Sequence, residues 1–327
     1  MAERADRAGA MSDVPDVAGP YVVAPFGTTL KEIAAGDDRI VGVTADMGRY
    51  SDFSPFAAAY PERYFNVGMA EQNAIMVAAG LAKVGKVAFA ATYAAFLTRR
   101  AVDFMAIACA HSKANVKVMA GSPGLVNPYG ATHQAIEDLA VICSIPDITV
   151  IDPCDAVELA QVVRAAAATP GTFYIRNLRG KVPAVLPLDY QFSIGKARLI
   201  RDGSDVGIVS TGFMTERALA AAAKAVTEGV SCAVLHIPTL KPFDVETVCH
   251  LASRVSRVVT AENHLRTRGL GSAVIEALFE AQIRRPVIRI GLQDRFHDCG
   301  SLGFLDRKYG LDTEAIKTAV VDGRWDY

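Results

Sequence analysis

A glutamate stands at the head of an apolar run in N-V-G-M-A-E-Q-N, Asn66 to Asn73, followed by the small and apolar residues Ala74 to Ala82. A carboxylate in the first turn of a helix is common, because the helix dipole favours an anion there. A helix apolar on every side is buried, however. Glu71 on such a helix needs a partner or a chemical task.

Two further clusters carry chemistry. In T-Y-A-A-F-L-T-R, Thr92 to Arg99, the rings of Tyr93 and Phe96 lie three residues apart and share a face if the segment is helical. They are core packing or a stacking platform for a flat ring. In G-L-V-N-P-Y-G-A-T-H-Q, Gly124 to Gln134, a loop of glycine, proline and asparagine carries Tyr129 and runs into a helix at His133. A lone histidine is usually structural, but loops that follow a strand are where open α/β sheets bind ligands.

Several common motifs are missing. There is no G-x-G-x-x-G after a first strand, no phosphate loop, no H-E-x-x-H and no G-x-S-x-G. A dehydrogenase, a P-loop enzyme and a serine hydrolase are therefore disfavoured. The six cysteines form no C-x-x-C pair, which points to reduced thiols and away from zinc.

The elements that must position these residues alternate in type. Strands are expected at Ile40–Thr44, Lys86–Ala90, Val116–Met119, Ile148–Ile151 and Thr172–Arg176. Helices are expected between them at 71–84, 99–111, 134–143 and 156–168. That order means an α/β fold with a parallel sheet covered on both faces. Prolines 183 and 187 break the pattern, and alternation resumes with strands at 206–210, 231–237, 257–260 and 287–290. Helices are expected there at 215–228, 271–281 and 313–320. The reading is a flexible tail over 1–19, a first α/β domain over 20–181, a linker over 182–195 and a smaller α/β domain over 196–327.

Bulk properties agree with two ordinary globular domains. The chain has 327 residues, 51% of them hydrophobic and 21% charged, enough for real cores. A net charge of -1 offers no strong field for nucleic acid or an anionic membrane. There is no long apolar run to span a membrane and no secretory signal, so a cytoplasmic protein is expected.

Taken in order, the three clusters resemble the thiamine-pyrimidine-binding domain of transketolases. The later segments T-A-E-N-H (Thr260–His264), G-L-G-S-A-V (Gly269–Val274), G-L-Q-D-R-F (Gly291–Phe296) and K-Y-G-L (Lys308–Leu311) resemble the transketolase C-terminal domain. The resemblance covers residues 20 to 320. Any one motif is weak; the ordered set is strong. The family holds its cofactor's diphosphate and metal through a G-D-G…N motif in a separate domain, which this sequence lacks. The resemblance thus implies the C-terminal subunit of a split transketolase, sharing thiamine diphosphate with an N-terminal partner subunit that holds Mg2+ or a similar metal. No metal ligand is expected on this chain, and an α2β2 assembly is implied.

The resemblance also assigns roles. Glu71 faces the pyrimidine N1′, where a proton-sharing carboxyl favours the imino tautomer. Tyr93 and Phe96 match the aromatics around the pyrimidine, and Asp46 an acidic position near the cofactor. His133 matches a histidine on the substrate hydroxyls or carbonyl, and Arg176 an arginine that forks onto a sugar phosphate. Tyr129 stands where the family carries an acid, Ala120 near a second phosphate-binding histidine and Val23 near another arginine. Two missing charge-assisted contacts, each worth about 1.5–3 kcal/mol, point away from the standard pentose and heptose phosphates. The alternatives are the β subunit of a 2-oxo acid dehydrogenase E1 component, or a non-catalytic assembly subunit of the same fold.

Overall fold

The structure, a computed structural model, describes Asp13, residues 19–187 and residues 189–327. Most of the expected tail over 1–19 lies outside these residues. In chain order the strands are β1 (Tyr21–Val23), β2 (Ile40–Thr44), β3 (Tyr64–Asn66), β4 (Val87–Tyr93), β5 (Val116–Gly121), β6 (Ile148–Ile151) and β7 (Thr172–Asn177), then β8 (Lys181–Pro183), β9 (Arg198–Arg201), β10 (Val206–Ser210), β11 (Cys232–His236), β12 (Thr239–Lys241), β13 (Arg257–Leu265) and β14 (Val287–Leu292).

Two sheets organise all but β1 and β8, which pair separately. The larger runs β12-β6-β7-β5-β4-β2-β3 and the smaller β14-β13-β10-β11-β9. Every pairing among β2 to β7 is parallel. Every residue of β2, β4, β5 and β7 is buried, as a sheet covered on both faces requires. One aromatic core, with Phe26, Phe53, Phe56 and Phe89, fills one side of the large sheet. An alanine- and valine-rich core covers the other and continues into the second half of the chain.

The halves are interlocked rather than strung apart. β12 comes from the second half yet pairs antiparallel with β6, closing the edge of the first sheet. Val182 and Pro183, expected in the linker, instead belong to β8 and pair with β1.

Three helical expectations change. The helix Glu71–Lys83 forms, but Gln72, Asn73, Met76 and Gly80 are exposed, so it is buried along one face and not all round. The run expected over 99–111 breaks into Ala94–Arg100, a turn at Val102–Phe104 and a π-helical stretch Met105–His111. The helix expected from 134 begins only at Asp138. The Gly124 amide donates to the Ala135 carbonyl, and that bridge commits the backbone around His133 to a turn. Among the described residues, no helix is long and apolar enough to cross a membrane.

Candidate functional site

Parallel strands deliver their loops to one edge of the sheet, and the three sequence clusters meet there. Tyr93 ends β4 and precedes the helix Ala94–Arg100, which carries Phe96 one turn on. Their ring centroids lie 5.6 Å apart. His133 stands edge-on to Phe96 at 5.3 Å, to Tyr129 at 5.5 Å and to Tyr93 at 6.2 Å. Four rings thus form one wall, with Tyr129 the most exposed at 58%.

Glu71 lies at the head of its helix, only 3% exposed. Its Oε1 accepts a 2.7 Å hydrogen bond from Arg100 Nη1. The Arg100 guanidinium carbon sits 4.2 Å from the Phe96 ring centroid. Arg100 therefore joins the carboxylate to the aromatic wall. Desolvation, and then the Arg100 charge, lower the proton affinity of His133. A histidine so placed is a neutral hydrogen-bonding group near neutrality.

The loop that carries Tyr129 and His133 is braced from both sides. Arg99 forms a bidentate pair with Glu137 and donates to the carbonyls of Ala131 and Gln134. From the second half of the chain, Asn263 accepts from the Leu125 amide and donates to the Pro123 carbonyl. Any side chain at Gly124 would collide with Asn263, its Cβ falling 2.1 Å from Nδ2. Gln134 donates to the carbonyls of Asn127 and Asp298, and the Gly300 amide to Pro128. Glu262 accepts from the amides of Leu270 and Gly271 and so caps the helix behind it. The T-A-E-N-H segment is thus a brace for the loop.

Other expected site residues fall elsewhere. Asp46 is exposed with φ 58°, tied to Asn66 by reciprocal 2.9 Å bonds, which fixes the loop after β2 to the segment that leads into Glu71. Ala120 is fully enclosed in β5, and Val23 is exposed on β1.

Arg176 does not lie open to a substrate. It is 2% exposed, and its guanidinium donates to both carboxylate oxygens of Asp138, to Asp152 and to the Asn263 carbonyl. Burial alone would push Asp138 up, but the Arg176 guanidinium outweighs it and holds the carboxyl below the usual range. Its committed donors make Arg176 an interdomain strut, because a guanidinium engaged by two carboxylates has little left for a phosphate.

Sequence reading passed over a second buried cation just past the end of β7. Arg179 lies three residues on, with its guanidinium carbon 5.3 Å from the Tyr93 ring centroid. Nε donates to Asp13 and Ser122, but Nη1 is buried without a hydrogen-bond partner among the described residues. The nearby Asp52 carboxyl is pushed up to about 7 by burial. The signal available in the sequence was a second arginine just past the end of a strand, in N-L-R-G.

Among the described residues, Cys154, Glu158 and His236 are grouped closely enough to hold a metal. Their atoms are already engaged. Glu158 accepts from His236, Tyr190 and the Cys154 amide, while His236 Nδ1 meets Thr215. This is a closed hydrogen-bond network between the two halves.

A parallel sheet covered on both faces thus carries a buried carboxylate, an aromatic wall and a histidine loop at one edge. Residues 22–184 match the family model described as transketolase, pyrimidine binding domain, and residues 195–316 that described as transketolase, C-terminal domain. The chain belongs to the transketolase family. It is 46% identical over 300 residues to a putative uncharacterized transketolase family protein of Sinorhizobium fredii, covering 91% of this chain and 87% of that one. It is 39% identical over 291 residues to the 6-deoxy-6-sulfo-D-fructose transketolase subunit of a Clostridium species, covering 89% and 90%. Among solved structures, a split-gene transketolase described as an inactive beta4 tetramer superposes with a TM-score of 0.84 at 39% identity, covering 93% of this chain and 98% of that one.

Proposed function

We propose that this chain is the C-terminal subunit of a two-chain transketolase in the cytoplasm. It transfers a two-carbon ketol unit from a ketose to an aldose or other acceptor, and it works only with an N-terminal partner subunit. The observation that carries the reading is the convergence of Glu71, Phe96, Tyr93 and His133 at one sheet edge.

The cofactor that the family implies is thiamine diphosphate, which supplies a stabilised carbanion equivalent when bound. The residues present fit its pyrimidine end. Glu71 is a nearly buried carboxyl that can hold a proton at a ring nitrogen, and Phe96 and Tyr93 offer flat apolar faces. His133, held by its braced loop, can hydrogen-bond a substrate hydroxyl or carbonyl. The diphosphate and Mg2+ are assigned to the partner, in an assembly with two copies of each chain.

Arg179, in place of Arg176, is the residue we assign to the anionic end of the sugar: it is nearly as buried as Arg176, at 4% exposed, but it lies beside Tyr93 and its Nη1 has no hydrogen-bond partner among the described residues. Phosphate and sulfonate both present oxygens that a guanidinium can meet. The sulfo-sugar named for one relative supports this breadth of anion, and Tyr129 in place of an acid removes a charge that would repel it.

The test is calorimetry with thiamine diphosphate and magnesium on this chain alone and with the N-terminal subunit. Binding only in the mixture is expected, followed by ketol transfer from a ketose and none from a 2-oxo acid. Tight binding by the lone chain would overturn the two-chain reading. The inactive homotetramer described for the split-gene neighbour supports the expectation that the lone chain has no activity.

A further inference from the structure

Arg100 occupies the two surfaces that the proposed function gives to the aminopyrimidine. Its Nη1 donates to Glu71 Oε1 at 2.7 Å, and its guanidinium carbon lies 4.2 Å from the Phe96 ring centroid. A guanidinium is flat, delocalised and rich in N–H donors, so it satisfies a carboxylate and an aromatic face together. An aminopyrimidine needs the same carboxylate oxygen and the same flat wall.

We propose that Arg100 is a self-capping latch, which closes the pyrimidine half-site of the free chain and must swing out before the cofactor's pyrimidine can reach Glu71. This rests on the reading that Glu71 and Phe96 hold that ring.

The local structure lets it move. Arg100 is the last residue of the helix Ala94–Arg100, and Ala101 leaves helical geometry at φ −122°. Its side chain is 49% exposed, so an exit to solvent is open. Arg99, one residue earlier, cannot replace it. That side chain is committed to Glu137 and to the carbonyls of Ala131 and Gln134. The contrast with Arg176, 2% exposed and held by two carboxylates, separates a latch from a strut. In the free chain the latch also spares Glu71 from standing buried without a partner.

The test uses the full chain and the probe 4-amino-5-hydroxymethyl-2-methylpyrimidine, titrated by ligand-observed NMR. Arg100→Ala should bind the probe about fivefold more tightly than the native chain, since a half-exposed ion pair with its ring contact competes by about that factor. Arg100→Lys, which keeps the charge but not the plane, should fall between. Equal or weaker binding by Arg100→Ala, or binding by neither chain, would overturn the latch.

Glu71→Ala separates the two claims. If it abolishes the gain in the Arg100→Ala background, both stand. If Arg100→Ala binds tightly and adding Glu71→Ala changes nothing, the ring is not on Glu71, and the reading of the site falls with the latch. If Glu71→Ala weakens probe binding but Arg100→Ala leaves it unchanged, only the latch falls.

Discussion

Two arginine–carboxylate contacts in this protein look alike on paper and differ in every physical respect. Arg176 with Asp138 and Asp152 is sealed between the two halves of the chain, with all three side chains at most 7% exposed. Arg100 with Glu71 joins a half-exposed cation to a nearly buried anion at the mouth of the aromatic wall. The first pair cannot open without leaving a charge stranded in the interior. The second can open at modest cost, since its cation returns to water. Residue type and spacing do not separate these cases; the surroundings do. The loop at 123–134 is likewise fixed by its surroundings, through Asn263 and through Gln134, which donates to the Asp298 carbonyl.

The largest expected effect would come from breaking the sealed pair. Arg176→Met should cost about 3–5 kcal/mol of unfolding free energy in a denaturant titration, because it strands Asp138 and Asp152. A variant that stays as stable as the native chain and loses only substrate affinity would return Arg176 to the sugar.

Opening the other pair from its acidic side should leave stability nearly intact and remove function. Glu71→Ala is expected to lower the proposed ketol transfer, assayed with the N-terminal subunit, about a hundredfold, within the usual range for a proton-handling group. Unchanged transfer rates would sink the catalytic assignment and favour a non-catalytic assembly subunit.

Arg179→Gln should raise the KM for an anionic ketose by roughly tenfold or more, and far less for an uncharged ketose, as loss of one charge-assisted contact implies. An equal effect on both sugars would make Arg179 a structural neighbour of Asp13 and Ser122.

A last effect concerns pH and sharpens the view of the sealed region. His264 Nε2 accepts from the Ala140 amide and Nδ1 donates to the Leu265 carbonyl, and burial lowers its pKa to about 4. The folded chain therefore binds fewer protons at this site than the unfolded chain, whose histidine titrates near 6.5. That contribution is complete above pH 6.5 and is lost as the pH falls toward 4. Against His264→Gln, the native chain should lose about 1 kcal/mol per pH unit across that window, read from paired melts. A pH-independent difference would mean that His264 titrates normally.

Much of the architecture was legible. Strands such as Ile40–Thr44, Ile148–Ile151 and Val206–Ser210 are short runs rich in valine and isoleucine, and they form where expected. The Glu71 helix starts at the carboxylate, because the preceding segment is held by Asn66 and Gly68. Less legible were segments whose backbone partners come from far away. The 134–143 helix loses its first turn to the Gly124–Ala135 bridge and to side chains from the second half. β12 is only three residues long, and pairing with β6 across a long gap in sequence is what makes it a strand.

By itself, the sequence determined the α/β class and the order of its strands and motifs, because periodicity, turn residues and ordered motifs are local properties. Only the tertiary structure decided what each charged residue does. Arg100, Arg176 and Arg179 carry the same side chain within one domain, yet one stacks on Phe96, one is locked between carboxylates and one keeps a free nitrogen beside Tyr93. Burial and the positions of opposing charges set those roles, and both depend on contacts between residues far apart in the chain.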